Sequence, residues 1–325
     1  MSDISQLAAG VRAGNMRALA KAITLIESRH PEHSGKAAEL IDELMPDTGN
    51  SIRIGISGVP GVGKSTFIEA FGMNLIKQDH KIAILAVDPS SQLSGGSILG
   101  DKTRMEELAR EKNAFIRPSP SGDTLGGVAR KTRETMLLCE AAGYDVIVIE
   151  TVGVGQSEIT VASMVDFFLL LQLANAGDEL QGIKKGVMEI ADAIVINKAE
   201  GDNRPRADLA RRQYENALHL LKPKSSHWQV PAMLCSALHN QGIHEIWEMI
   251  NKFVATMQEH GEFATKRSLQ ANDWMWALVM DGLKDLFRND KNVAGMLDRV
   301  QTGVAAGTTS PSVAARRLIE AFKRH

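Results

Sequence analysis

The run Gly58-Val59-Pro60-Gly61-Val62-Gly63-Lys64-Ser65 stands between two segments of different periodicity. Ahead of it, Ile52-Arg53-Ile54-Gly55-Ile56 is short and apolar, as a buried strand is. Behind it, Thr66 to Leu75 reads as a helix. A strand that passes into a helix through a glycine-rich loop belongs in an open α/β sheet, at the carboxyl end of a strand. The glycines let the backbone wrap around an anion without Cβ clashes. Loop N–H groups and the positive end of the helix then face that anion. The run fits G-x-x-x-x-G-K-[ST] in full, which puts Lys64 on the β/γ-phosphates and Ser65 on Mg²⁺. A nucleoside triphosphate is the expected ligand, bound by residues 58–65 together with Thr66.

Short apolar strands and helical stretches alternate after this point. Strands are expected at 52–57, 82–87, 114–117, 145–150, 166–173, 193–197 and 230–235. Ile82-Ala83-Ile84-Leu85-Ala86-Val87 and Val146-Ile147-Val148-Ile149 are near-continuous apolar runs, which suit a mainly parallel sheet covered on both faces. Helices are expected at 66–79, 103–111, 126–142, 181–190, 206–221 and 243–258. Residues 3–46 read as helical in two halves separated by Pro31, and Pro46-Asp47-Thr48-Gly49 ends them. From about 266 the pattern is purely helical, with Trp274, Leu278, Leu283 and Leu286 as apolar positions and a last helix at 312–323. The expected organisation is an N-terminal helical extension (1–50), a parallel α/β nucleotide domain with helices on both faces (51–262) and a C-terminal helical arm (263–325).

Composition narrows the partners. Lys and Arg number 37 against 39 Asp and Glu, a net charge of −2, so no basic excess points to nucleic acid or an anionic membrane. The two cysteines, Cys139 and Cys235, are far apart in sequence and suit a reducing compartment rather than a disulfide framework. No stretch approaches the roughly 18 apolar residues of a membrane span. A cytoplasmic protein is expected. No Cys-x-x-Cys or His-rich tract occurs, and His30, His33, His239 and His244 read as solvated side chains.

Several strand ends carry chemistry. Asp88 follows the second strand, where a carboxylate can reach Mg²⁺ or an attacking water, or simply cap a turn. Asp101 lies in the polar glycine-rich segment 95–104, the kind of loop that orders around a γ-phosphate, though it can equally cap the next helix. Glu150 ends the strand before Thr151-Val152-Gly153. It could orient water or Mg²⁺, and Gly153 could offer its N–H to the γ-phosphate. Asn197-Lys198-Ala199-Glu200 resembles the guanine-reading N-K-x-D motif, in which the acid accepts two hydrogen bonds that adenine cannot offer. Glu200 in place of Asp moves the carboxylate by about 1.5 Å, one covalent bond. Ser236-Ala237-Leu238 fits the supporting loop whose backbone reads the guanine oxygen.

Taken together, these runs resemble the methylmalonyl-CoA mutase-associated GTPases, the MeaB/ArgK group. The resemblance rests on 58–66, Val87-Asp88-Pro89-Ser90-Ser91, 95–102, Glu150-Thr151-Val152-Gly153-Val154-Gly155-Gln156-Ser157-Glu158 and 177–186. It implies slow, Mg²⁺-dependent hydrolysis of GTP to GDP. It also implies chaperoning of an adenosylcobalamin-dependent methylmalonyl-CoA mutase, whose cofactor loading the family gates and which it protects. Asp178, Gln181 and Lys184 would belong to a switch signalling to that mutase, and the helical arm would form a homodimer. Two other readings remain open at this level: an ATP-dependent kinase or ATPase linked to amino-acid transport, and a metallochaperone GTPase.

Overall fold

The computed structural model describes residues 3–28, 30–87, 105–118, 125–151, 157–174 and 185–323. The chain divides into two compact units, one ending at Phe263 and the other starting at Ala264.

The first unit is built on seven strands: β1 (Ile52–Gly58), β2 (Ile82–Val87), β3 (Ala114–Arg117), β4 (Val146–Thr151), β5 (Phe167–Leu173), β6 (Ala193–Asn197) and β7 (Ala232–Leu234). Their order is β3-β2-β4-β1-β5-β6-β7, and every pairing is parallel. β1 sits centrally, with Ile54 beside Val148 on one side and Phe167 on the other. All seven expected strands are present. Their apolar runs form because both sheet faces are covered.

Ten helices are needed to follow the first unit and its continuation: α1 (Asp3–Arg12), α2 (Met16–Glu27), α3 (Pro31–Leu44), α4 (Lys64–Ile76), α5 (Leu125–Ala141), α6 (Ser157–Ala162), α7 (Lys185–Ile190), α8 (Arg204–His219), α9 (Ile243–Glu259) and α10 (Glu262–Asn289). Alternating strand residues go to opposite cores. Ile54, Ile56, Val146 and Val148 pack with Phe67, Ile68 and Phe71 of α4 and with Ile246 and Ile250 of α9. Ile147, Ile149, Phe168 and Leu170 pack with Leu138 of α5 and Tyr214 of α8. The same core takes in Leu7 and Val11 of α1, Leu19 and Ile23 of α2, and Leu40 of α3.

The N-terminal segment differs from the expected two halves: it forms three helices. The extra break falls at Gly14, whose φ is +66°. Asn15 follows, and its side chain accepts from the Arg17 and Ala18 N–H groups as an N-cap. Of the helix expected at 103–111, the described part is a short 3₁₀ turn, Leu108–Arg110.

The start of β1 is anchored opposite the loop end. Glu140 of α5, almost fully buried, accepts from Arg53 Nε at 2.8 Å and Nη2 at 2.9 Å. It also accepts from Ser51 Oγ at 2.5 Å and the Gly49 N–H at 2.9 Å. Burial works to raise this carboxyl, but the Arg53 hydrogen bonds and charge, with Ser51 and Gly49, outweigh it and hold it below its ordinary value.

The second unit contains most of α10 with α11 (Lys291–Ala305) and α12 (Pro311–Phe322). Asp290 caps α11 and Ser310 caps α12. Val293, Val300 and Ala314 are its buried apolar residues, and Phe287 meets Phe322 at 5.4 Å between ring centres. Among the described residues, no helix is long and apolar enough to cross a membrane.

Candidate nucleotide site

β1 delivers the chain at Gly58 into a tight loop that ends in the first turn of α4. Gly61 and Gly63 have φ of +79° and +91°, the left-handed region that suits glycine. Gly58 is required for a different reason: a Cβ there would lie 2.6 Å from the Leu171 carbonyl. Val62 is fully buried and pins the loop, while Pro60 and Gly61 are exposed. Gly63 is the N-cap of α4 and offers no side chain to cap it. The orphan N–H groups of a first turn are what an oxyanion binds. Lys64 Nζ donates to the Gly58 carbonyl at 2.8 Å, so its charge is folded back over the loop.

Asn197 and Lys198 close on this loop from the end of β6. Asn197 Nδ2 donates to the Val62 carbonyl at 2.9 Å, and Lys198 Nζ donates to the Gly61 carbonyl at 2.8 Å. The fit is close enough that a Cβ on Gly63 would come within 2.9 Å of Asn197 Nδ2. Lys198 has φ of +60°, and Asn203 Nδ2 holds its carbonyl at 2.6 Å. Asn197 Oδ1 accepts from the Ala237 N–H at 3.1 Å and from the Cys235 thiol at 3.3 Å. Ser236-Ala237-Leu238 is thereby joined to Asn197. Ser236 also exchanges two backbone hydrogen bonds with Gln241, which closes the turn. Ser236 and Ala237 are buried, whereas Leu238 is exposed. Glu200 is half-buried, and its Oε2 is sealed from solvent with no hydrogen-bond partner among the described residues. A buried acceptor without a donor fits a ligand that supplies N–H groups.

Glu150 pairs in register with Ile56 on one side and Ala86 on the other. It shares the sheet face of Val146 and Val148, the face covered by α4. Ser65 lies in the first turn of that helix. A hydroxyl and a carboxylate on one face are donors that suit Mg²⁺. On the opposite face, buried Thr151 Oγ1 donates to Ser57 Oγ at 2.8 Å. Asp88, Asp101, Gly153, Asp178, Gln181 and Lys184 lie outside the described residues. The motif residues 58–66, 197–200 and 236–238 are brought to one end of the sheet. Sequence reading missed Asn203 and Cys235, since neither belongs to a motif; a polar side chain just past a motif's end was the available signal.

A seven-stranded parallel sheet with this loop at its central strand defines a P-loop nucleoside-triphosphatase fold. The sequence model of the family described as methylmalonyl Co-A mutase-associated GTPase MeaB matches residues 19–292. GTPase ArgK of Escherichia coli K12 is 50% identical over 311 residues, covering 95% of this chain and 94% of the relative. The mouse protein named methylmalonic aciduria type A homolog, mitochondrial, is 45% identical over 333 residues, covering 99% of this chain and 80% of the relative. A solved structure described as LAO/AO transport system kinase superposes with a TM-score of 0.79 at 42% identity, covering 99% of both chains. The chain belongs to the MeaB family of P-loop GTPases.

Proposed function

We propose that this GTPase is a cytoplasmic chaperone of an adenosylcobalamin-dependent methylmalonyl-CoA mutase, gating the loading of the mutase's cofactor and protecting it. The family match over residues 19–292 carries the reading. The mouse relative named for methylmalonic aciduria, matched along nearly the whole of this chain, supports it.

At the site, Lys64 and the loop N–H groups within 58–66, all but that of Pro60, offset the phosphate charge. Asn197, Lys198, Glu200 and the 236–238 backbone take the guanine base, and the partnerless Glu200 Oε2 supports that choice. Ser65, with carboxylates among Asp88, Asp101 and Glu150, would hold Mg²⁺, which supplies charge neutralisation at the phosphates. Catalysis is then positioning and electrostatics, and turnover is low until a partner completes the site. Gly153 donates to the γ-phosphate, and Asp178, Gln181 and Lys184 carry the nucleotide state to the mutase.

A homodimer through the arm is part of the same reading. α10 has no buried residue. Leu269, Trp276, Val279, Leu283 and Leu286 are all exposed along it. Their spacing alternates threes and fours from Trp276 on, the seam of a helix that pairs with a second copy.

The kinase reading has the name of one solved relative behind it. A buried acceptor at Glu200 favours guanine over adenine, which has no matching pair of donors. The test is capture of endogenous proteins on the full chain loaded with GDP or with a non-hydrolysable GTP analogue. An acyl-CoA mutase is expected in at least one state; its absence from both overturns the chaperone reading.

A further inference from the structure

The Asn197 carboxamide is the hub between the phosphate loop and the base-reading turn, yet its terminal torsion is intrinsically broad and nearly two-fold. Something must keep its oxygen and nitrogen from exchanging places. On the nitrogen side, Val62 accepts one N–H at 2.9 Å. The second Nδ2 hydrogen has no acceptor among the described residues and is available to a ring acceptor of a purine. On the oxygen side, two donors converge: the Ala237 N–H at 3.1 Å and the Cys235 S–H at 3.3 Å.

We propose that Cys235 is a positioning residue for purine recognition, its thiol fixing the Asn197 carboxamide so that one Nδ2 hydrogen is presented to the base. The proposal rests on the guanine-nucleotide reading above. Three observations support it. Cys235 is 2% exposed, and its sulfur has Asn197 Oδ1 as its hydrogen-bond acceptor. Its backbone is locked on both sides, its N–H on the Ile196 carbonyl and its carbonyl on the Ala199 N–H, so the sulfur cannot drift from β6. Burial, with the nearby Glu200 charge, pushes the thiol up to about 12, so it remains a donor across the physiological range. A cysteine accepting from its surroundings could not do this work; the oxygen it serves is itself an acceptor.

The test compares GTP with 7-deaza-GTP, which lacks the ring nitrogen that would accept from Asn197 but keeps the rest of the base. Equilibrium binding is measured on the full chain, unsubstituted and as Cys235→Ala and Cys235→Ser. The unsubstituted protein is expected to prefer GTP by about tenfold, the worth of one well-aligned hydrogen bond. Cys235→Ala should compress that ratio to about twofold, and Cys235→Ser, which restores a donor, should bring it back. A general loosening of the fold weakens both nucleotides together and leaves the ratio alone, so the ratio separates positioning from stability. Should Cys235→Ala not fold, Cys235→Val, which leaves no cavity and has no donor, takes its place with the same expected ratio. An unchanged ratio in the donor-less variant overturns the proposal, as does equal binding of the two nucleotides by the unsubstituted protein. Failure of the unsubstituted protein to bind either guanine nucleotide would instead overturn the guanine reading beneath it.

Discussion

In the proposed reading, nucleotide choice turns on Glu200. A carboxylate oxygen buried without a donor is costly, and a bound base that brings N–H groups removes the cost. Glu200→Gln keeps the shape but replaces one acceptor with a donor. It is expected to weaken GTP binding by about 100-fold, as for a site whose polar match is broken, while any residual ATP binding stays where it was. Titration of both nucleotides against the variant checks this; equal losses for GTP and ATP would remove Glu200 from base reading. Much at this scale was legible from sequence, because the phosphate loop and the 197–200 run are contiguous and each carries its chemistry in its own spacing. Cys235 and Asn203 were not legible. Cys235 acts on a side chain 38 positions away, a proximity created only when β7 pairs with β6, and Asn203 acts by holding a left-handed Lys198 that no propensity announces.

Elements were legible where burial is two-sided. All seven strands could be read because a covered parallel sheet demands continuous apolar runs, and the boundaries of α4, α5, α8 and α9 fell within a few residues. The sequence pattern predicts two halves where three helices form. Gly14-Asn15 is a stop followed by a cap, a local signal outweighed by the more visible Pro31. α10 posed the opposite difficulty: its apolar positions look like core, yet Leu283 and Leu286 are exposed while Trp274 and Leu278, on the other face, are half-buried. The 3–4 spacing of the exposed set is the basis for the proposed second copy. Trp276→Glu with Leu283→Glu puts two charges into that seam. Light scattering on the eluting protein should show a dimer become a monomer, with the dissociation constant raised at least about 100-fold, since two central anchors are lost. A substituted chain that stays dimeric at the same concentration would place the interface elsewhere.

Beyond the sheet and the helices that flank the candidate nucleotide site, the molecule carries further helices. Helices α1–α3 extend the core on the face opposite α4, and the unit from Ala264 onward is compact in itself. Such a chain spends much of its length on surface that GTP does not need, in keeping with an output delivered to another protein. For nucleotide state to gate a mutase, the two states must bind that mutase with different free energies, because a ligand with equal affinity for both conformations shifts nothing. The most direct measurement is the dissociation constant of the purified full chain for purified methylmalonyl-CoA mutase, taken by calorimetry with saturating GDP and again with a non-hydrolysable GTP analogue. The constants are expected to differ by about tenfold or more, a coupling of about 1.4 kcal/mol. Identical constants in the two states, or no binding in either, would contradict the proposed gating.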